Sequence, residues 1–348
     1  MIFNNNLKAV TAAILAFVLL FSNLFVSEKG ASSLIQRYSS DCNITVSSLI
    51  KRNSTNYDIA VMVMGPKKMF YEWYDRLFKI RGATVDFIYG AFDEDFNETD
   101  REVYHEMYRG NGIRYSPIYI PNTTWTEGRN LMLKEAIDLE KEREKEYDFW
   151  LLADDDFTVN CAVEADIIHG YGSCWQKLFN FVGSEHVKSD KVSSVFFSPT
   201  SKLELAATSY TDAILAIFKR SSVPYLLPYA TLEDGNSEWS SQAALFCLME
   251  TCYKQTTLMA PLISGINKEH RDYIRGLDVD VIQNVIKNNY YFDVYDFYPC
   301  KDKKDFRQYA DKIVARSGEE LMNMIPKPAV EYCYPLKKRF TEFAKNTN

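Results

Sequence analysis

Three consecutive carboxylates, Asp154, Asp155 and Asp156, close the apolar run Tyr147-Asp148-Phe149-Trp150-Leu151-Leu152-Ala153. Three anions at one strand tip repel unless a cation, a hydrogen-bond shell or protonation offsets them. A divalent metal answers that need, because Mg²⁺ and Mn²⁺ take carboxylate oxygens and ligands of open α/β sheets sit beyond the carboxyl ends of the strands. A helix or turn cap, the ordinary employment of aspartate at such a place, accounts for one of the three and leaves two.

The elements that must position these carboxylates read as alternating strands and helices. Asp58 to Met64 is a strand rich in Val, Ile and Met, Gly65-Pro66 breaks it, and Met69 to Ile80 has helical spacing. Thr84 to Tyr89 is a second strand, followed by the acidic loop Asp93-Glu94-Asp95 and a helix over Asp100 to Arg109. Ile113 to Ile120 is a third strand, and Pro117 within it points to a sheet edge or a bend. Thr126 caps a helix carrying Met132, Leu133, Ala136 and Ile137, and Tyr147 to Ala153 returns as the fourth strand. Further on, Val192 to Phe197 and Ala213 to Phe218 read as strands, Trp239 to Tyr253 as a buried helix, and Asp302 to Arg316 as an amphipathic helix. This alternation predicts an α/β fold whose Rossmann-like central sheet is mostly parallel, with right-handed crossovers.

At its start the chain runs from Ala9 to Val26 without a charge. Eighteen residues of helix rise about 27 Å, close to the hydrocarbon thickness of a bilayer. The expected organisation is a short tail over 1–8, a signal anchor over 9–26, a stem over 27–57, a catalytic domain over 58–300 and a helical extension over 301–348. A cleaved signal peptide is the competing reading of the apolar segment, and no small-x-small cleavage site stands out before Ser27. Either way the bulk of the chain enters the secretory lumen. Asn-x-Ser/Thr acceptor sequences at Asn43, Asn53, Asn97 and Asn122 agree with that compartment, and seven cysteines suit a luminal enzyme with two or three bridges. The net charge of −7 argues against a nucleic-acid partner, which needs a basic face.

A luminal type II chain whose βαβαβ half ends in an apolar strand and Asp154-Asp155-Asp156, with Gly128-Arg129-Asn130 opening the preceding helix, resembles the GT-A class of nucleotide-sugar glycosyltransferases. The resemblance covers roughly 58–275. It implies an Asp-x-Asp motif in which Asp154 and Asp156 hold Mn²⁺ or Mg²⁺ on the donor diphosphate and Asp155 contacts the donor. It further implies that Leu232-Glu233-Asp234-Gly235-Asn236-Ser237-Glu238 is the acidic segment that supplies the base, with Asp234 taking the acceptor proton between Glu233 and Glu238. The same residues also make a turn before a helix start, and both readings stay open. In the same class a C-terminal histidine often joins the metal, the place of His270, where a surface histidine is the alternative. Arg129 would contact the diphosphate or orient an aspartate of the metal site, with Asn130 beside it. Gly65, Pro66 and Asp93, at strand ends, would face the nucleotide. The implied activity is metal-dependent transfer of a sugar from a nucleotide-sugar donor to a hydroxyl of a luminal glycan or glycoprotein, with inversion, in the Golgi or ER membrane.

Two other readings remain. Asp154-Asp155-Asp156-Phe157-Thr158 also resembles the Asp-x-Asp-x-Thr signature of haloacid-dehalogenase-type phosphohydrolases, in which the first aspartate attacks phosphorus. That motif belongs to the opening strand of its domain, whereas here three strands precede it. A non-catalytic luminal binding protein of the same fold is the other.

Overall fold

Tyr57–Gly65, as Tyr-Asp-Ile-Ala-Val-Met-Val-Met-Gly, carries one charged side chain in nine, and it forms a strand buried along almost its whole length, β1. A strand covered on both faces reads as a continuous apolar run. The computed structural model describes residues 56–100, 102–103, 113–197, 205–209, 214–231, 238–267 and 312–345. The anchor over 9–26, Asn43, Asn53 and most of the helix expected over Asp100 to Arg109 lie outside them. Among the described residues no helix is long and apolar enough to cross a membrane.

The strands are β1, β2 (Ala83–Ala91), β3 (Ile113–Tyr119), β4 (Phe149–Asp154), β5 (Phe157–Cys161), β6 (Ser194–Phe197), β7 (Leu205–Thr208), β8 (Leu215–Lys219), β9 (Thr257–Ala260), β10 (Ile263–Asn267) and β11 (Ile313–Ala315). Nine of them form one sheet in the order β11-β7-β9-β6-β8-β4-β1-β2-β3, and β5 and β10 form a separate antiparallel pair. The helices used below are α1 (Phe70–Phe78), α2 (Trp125–Arg143), α3 (Cys174–Val182), α4 (Glu238–Cys252), α5 (Gly318–Met324) and α6 (Tyr334–Lys345).

Strand alternation divides the core into two layers. Ile59, Val61 and Val63 of β1 join Phe87, Leu151 and the Phe70, Trp73 and Leu77 face of α1 on one side of the sheet. Ala60 and Met62 join Trp150, Leu152 and the Met132, Leu133 and Ala136 face of α2 on the other. Since Trp150 and Leu152 face α2, the next residue in phase, Asp154, faces α2 as well.

The sheet is mixed rather than mostly parallel. The β4-β1-β2-β3 part is parallel throughout, as is the β6–β9 pair, but β8 joins β4 and β6 antiparallel and β7 joins β9 and β11 antiparallel. Pro117 does lie in an edge strand, β3, whose outer side has no partner among the described residues. The cap of α2 is Thr124, not Thr126. Thr124 accepts from the Glu127 amide while Glu127 accepts from the Thr124 amide, a reciprocal capping box. Thr126 is buried, and its hydroxyl bonds Ser241 of α4 instead.

Of the helix expected over Asp302 to Arg316, residues 302–311 lie outside the description and Ile313–Ala315 is the short strand β11. Its phase is two, with Ile313 and Ala315 buried and Val314 half exposed, which is what an edge strand against β7 requires. Beyond it α6 inserts Leu336 and Phe340 into the α2 layer, and a disulfide joins Cys333 to Cys252 at the end of α4. Cys161 and Cys174 form a second bridge and Cys247 is also disulfide-bonded, so at least five of the seven cysteines are oxidised.

His169 is buried, and its Nε2 lies 3.0 Å from the Pro261 carbonyl at the β9–β10 turn. A carbonyl only accepts, so that nitrogen carries the proton. Burial pushes the imidazole pKa down to about 4. The unfolded chain therefore binds the extra proton first, near pH 6.5, and the fold is weakened as pH falls from there towards 4, by up to about 3 kcal/mol from this group. His169→Gln, which keeps a donor for Pro261, is expected to flatten that part of the pH dependence in urea unfolding measured between pH 7 and 4.5.

Candidate functional site

β1 is followed in sequence by β2 and β3 on one side, whereas β4 lies on its other side, so the strand order reverses between β1 and β4. In open α/β sheets the ligand crevice opens beyond the carboxyl ends of strands at such a point. Met64 of β1 pairs in register with Asp154 of β4, which places Gly65 and the three aspartates together at that mouth.

Asp155 and Asp156 form the turn between β4 and β5, and an arginine–tryptophan pair holds this turn from each face of the sheet. On the α2 side the Trp125 indole donates to Asp154 Oδ1 at 3.0 Å and Arg129 Nη2 donates to the same oxygen at 2.7 Å. Arg129 is fully buried, while the Asp154 side chain keeps 22% exposure. The guanidinium stacks over the Trp125 ring at 3.9 Å and is closed in by Tyr229, whose hydroxyl lies 3.3 Å from Nη1. On the α1 side the Trp73 indole donates to the Asp155 carbonyl at 2.8 Å and Arg76 Nη1 donates to the Phe157 carbonyl at 2.7 Å, with the Arg76 guanidinium 4.9 Å from the Trp73 ring. Burial lowers the Arg76 pKa, and the carboxylates of Glu72, Asp155 and Asp156 act against that shift. The spacings are i,i+3 for Trp73 and Arg76 and i,i+4 for Trp125 and Arg129, so each pair shares one face of its helix.

Of the residues singled out from sequence, Asp154, Asp155, Arg129 and Gly65 therefore converge. Arg129 orients an aspartate, one of its two expected roles. Gly65 is required by packing: a Cβ there would lie 2.2 Å from Asp155 Cβ and 2.9 Å from the Tyr89 hydroxyl. Asp155 thus packs over the tip of β1. Pro66 belongs to the same turn, its carbonyl accepting from the Tyr89 hydroxyl at 2.7 Å. Asp93 has a structural employment, accepting the Lys67 amide at 2.8 Å and tying the loop after β2 to the loop after β1. Asn130 is buried as a clamp on the backbone of Tyr229, donating to its carbonyl at 3.0 Å and accepting from its amide at 2.9 Å.

Glu233 and Asp234 lie in 232–237 and His270 in 268–311, outside the described residues, and Glu238 opens α4. The flanks of 232–237 are fixed, however. Ser241 in the first turn of α4 donates to the Ala230 carbonyl at 2.5 Å and is met by the Thr126 hydroxyl at 3.2 Å. Both flanks are thereby fastened to the first turn of α2, the turn that carries Trp125 and Arg129. Asn267, last residue of β10, pairs with Phe157, next to Asp156.

Among the described residues no three His, Cys, Asp or Glu side chains are grouped to hold a metal. A full protein cage is not what a diphosphate-bound Mg²⁺ or Mn²⁺ needs, since such ions are held by one or two carboxylates plus substrate phosphates. Asp154 and Asp156, two residues apart in one turn, fit that donor set. The phosphohydrolase pattern fits less well. Its attacking aspartate would be Asp154, whose Oδ1 accepts from a buried guanidinium and an indole, and Thr158 is paired into the two-stranded sheet opposite Ile266.

Sequence reading missed Trp73, Arg76, Trp125 and Tyr229. The helical spacing of the two tryptophan–arginine pairs was a visible signal, whereas Tyr229 arrives from a hundred residues away and carried none.

No family model matches the chain, and no curated protein matches it. Similar solved structures include mannosyltransferase PcManGT from Pyrobaculum calidifontis in complex with GDP-Man and Mn²⁺, at TM-score 0.41 and 11% identity over 87% of this chain and 81% of that one. Another is S. aureus TarS 1-349, at TM-score 0.37 and 10% identity over 83% and 90%. The same fragment in complex with UDP gives TM-score 0.35 and 11% identity over 71% and 75%. Likeness at these scores carries no weight for function, which must rest on the geometry above.

Proposed function

We propose that the chain is a nucleotide-sugar glycosyltransferase whose donor diphosphate binds in the crevice beyond β1 and β4. The observation that carries this reading is the turn of three aspartates at the strand-order reversal, clamped by Trp125 and Arg129 on one face and by Trp73 and Arg76 on the other. The clamps fix the aspartate turn in place, and a divalent cation shared with a diphosphate would let that anionic ligand approach it.

In this reading Asp154 and Asp156 hold Mn²⁺ or Mg²⁺, and a bound cation would neutralise charge building on the departing nucleoside diphosphate. Arg129 orients Asp154 through the 2.7 Å contact to its Oδ1. Asp234 takes the proton of the acceptor hydroxyl, with Glu233 and Glu238 as the other acids of that segment, and a base acting across the sugar from the leaving group would invert the anomeric centre. His270, three residues after Asn267 of β10 in the sequence, is the further metal ligand of this reading. The acceptor is a glycan or glycoprotein of the secretory lumen, a setting supported by the oxidised cysteines and the glycosylation sequences. Membrane attachment through 9–26 completes the proposal.

The test is hydrolysis of a panel of nucleotide sugars by the purified chain with and without Mn²⁺, beside an aryl phosphate control. Metal-dependent release of nucleoside diphosphate from one donor is expected. Hydrolysis of the aryl phosphate alone would transfer the site to phosphohydrolase chemistry, and calorimetry showing no Mn²⁺-dependent nucleotide binding would leave only the non-catalytic reading.

A further inference from the structure

On the outer side of α2 lies a cleft of about 700 Å³, within the size range of small-molecule sites. Its wall includes Leu131 and Lys134 of α2, Glu342 and Phe343 of α6, and, at the turn before α2, Asn122. At ~100° of helix rotation per residue, Leu131 and Lys134 stand on the opposite side of α2 from Trp125 and Arg129. The cleft shares Asn130 and Tyr229 with the surroundings of Arg129, but none of the three aspartates, Trp125 or Arg129 lines it.

Its chemistry is that of a neutral, amphipathic ligand. Two cations, Lys134 and Arg339, are balanced by two carboxylates, Glu127 and Glu342. Arg339 is held by the Pro228 and Tyr229 carbonyls and Glu127 by the capping box, so both side chains are fixed in place while their opposite charges offset each other in the wall. Between them Leu131, 39% exposed, and the partly buried Phe343 leave an apolar floor, with Lys134 Nζ 5.4 Å from the Phe343 ring centroid. Aliphatic and aromatic surface ringed by polar groups suits the two-sided face of an N-acetylhexosamine.

Asn122 starts the acceptor sequence Asn122-Thr123-Thr124. It is exposed, its φ of 54° is one asparagine tolerates, and its side-chain amide has no partner among the described residues. Asn97, the other acceptor described, instead uses its Oδ1 to accept the Asp100 amide. We propose that Asn122 is N-glycosylated and that the inner sugars of its glycan lie in this cleft, over Leu131 and Phe343. The inference rests on the luminal setting proposed above. Attachment forms a bond from Asn122 Nδ2 to the anomeric carbon of an oligosaccharide carried on a lipid diphosphate, breaks that carbon's bond to the diphosphate oxygen, and releases the lipid diphosphate and the amide proton.

The full chain is expressed in a glycosylating secretory host, occupancy at Asn97 and Asn122 is read by peptide mass, and the native protein is treated with an endoglycosidase. Asn122 is expected to be occupied and trimmed at least roughly tenfold more slowly than Asn97, which corresponds to about 1.4 kcal/mol of seating. Leu131→Ser should bring the two rates together. Thr124→Asp, which keeps a capping oxygen for α2 but deletes the acceptor sequence, should abolish the modification in a folded chain. Occupied Asn97 with bare Asn122, or equal trimming rates indifferent to Leu131→Ser, would overturn the inference and leave the luminal setting standing. Bare asparagine at every acceptor sequence would overturn both. Saturable binding of a free nucleotide or oligosaccharide in the cleft of the glycosylated protein would likewise assign it to another ligand.

Discussion

Asp154→Asn is expected to lower nucleotide-sugar turnover by three orders of magnitude or more, on the scale of losing a principal charged group at a transferring diphosphate. The amide oxygen still accepts from Arg129 and Trp125, so the side chain stays in place and only its charge is lost. That charge also has a structural duty. Arg129 is fully buried, Asp154 is the carboxylate paired with it at 2.7 Å, and removing one partner of a buried pair costs about 3 kcal/mol. The variant should therefore be both inactive and less stable. Asp156→Asn separates the two effects: Asp156 is not the partner of the fully buried Arg129, and its charge acts on the partly buried Arg76 instead, so a comparable loss of turnover with a smaller stability change than in Asp154→Asn is expected. Turnover is read in the nucleotide-sugar assay and stability by urea unfolding. Full activity in Asp156→Asn would remove the metal assignment, and unchanged stability in Asp154→Asn would mean that Arg129 has another counter-charge.

The parallel part of this sheet was legible because β1 and β4 are buried on both faces and so appear in the sequence as long apolar runs. In the antiparallel part, β6 and β8 are visible as strands over Val192 to Phe197 and Ala213 to Phe218, but their pairing is not, since β8 returns beside β4 with no tell-tale crossover helix; β7 and β9, four residues long, are too short to show a period. In the site, the charges announced themselves and the clamps did not. Three adjacent aspartates stand out in any sequence, and Arg129 is tied to them through the resemblance, with orienting an aspartate one of its two expected roles. Asn130, one residue on and so a quarter-turn round α2, serves the backbone of Tyr229 instead. Asp93 shows the same limit: a carboxylate at a strand end can face a ligand or accept a neighbouring loop's amide, and only the position of Lys67 decides.

At the far end of α2, Arg143→Met is expected to destabilise the fold by about 2–3 kcal/mol, because it removes the buried cation shared by two buried carboxylates and leaves each with a more exposed one. Arg143 bridges Asp58 of β1 and Asp86 of β2, donating to Asp86 Oδ2 at 3.0 Å and to Asp58 Oδ2, and all three side chains are at most 9% exposed. Asp86 also accepts from Tyr147 at 2.6 Å and from Arg114 at 2.9 Å, while Asp58 keeps Lys145 at 2.7 Å. Burial works to raise the Asp58 carboxyl, but Lys145, Arg143 and Thr84 together outweigh it and hold its pKa below the ordinary value. A depressed carboxyl pKa gives stability that is present above the unfolded value, near 4, and is lost as pH falls through the folded value. The gap between wild type and Arg143→Met should accordingly be widest near pH 7 and narrow towards pH 3, and Asp58→Asn in the Arg143→Met background should recover part of the loss, a coupling that a double-mutant cycle reads directly. A gap independent of pH would assign the cost to the packing of Arg143 over the Tyr147 ring, 4.6 Å away, instead of to its charge. Because the same helix carries Arg129 about 21 Å away along its axis, these measurements also separate what α2 does for the fold from what it does for the aspartate turn.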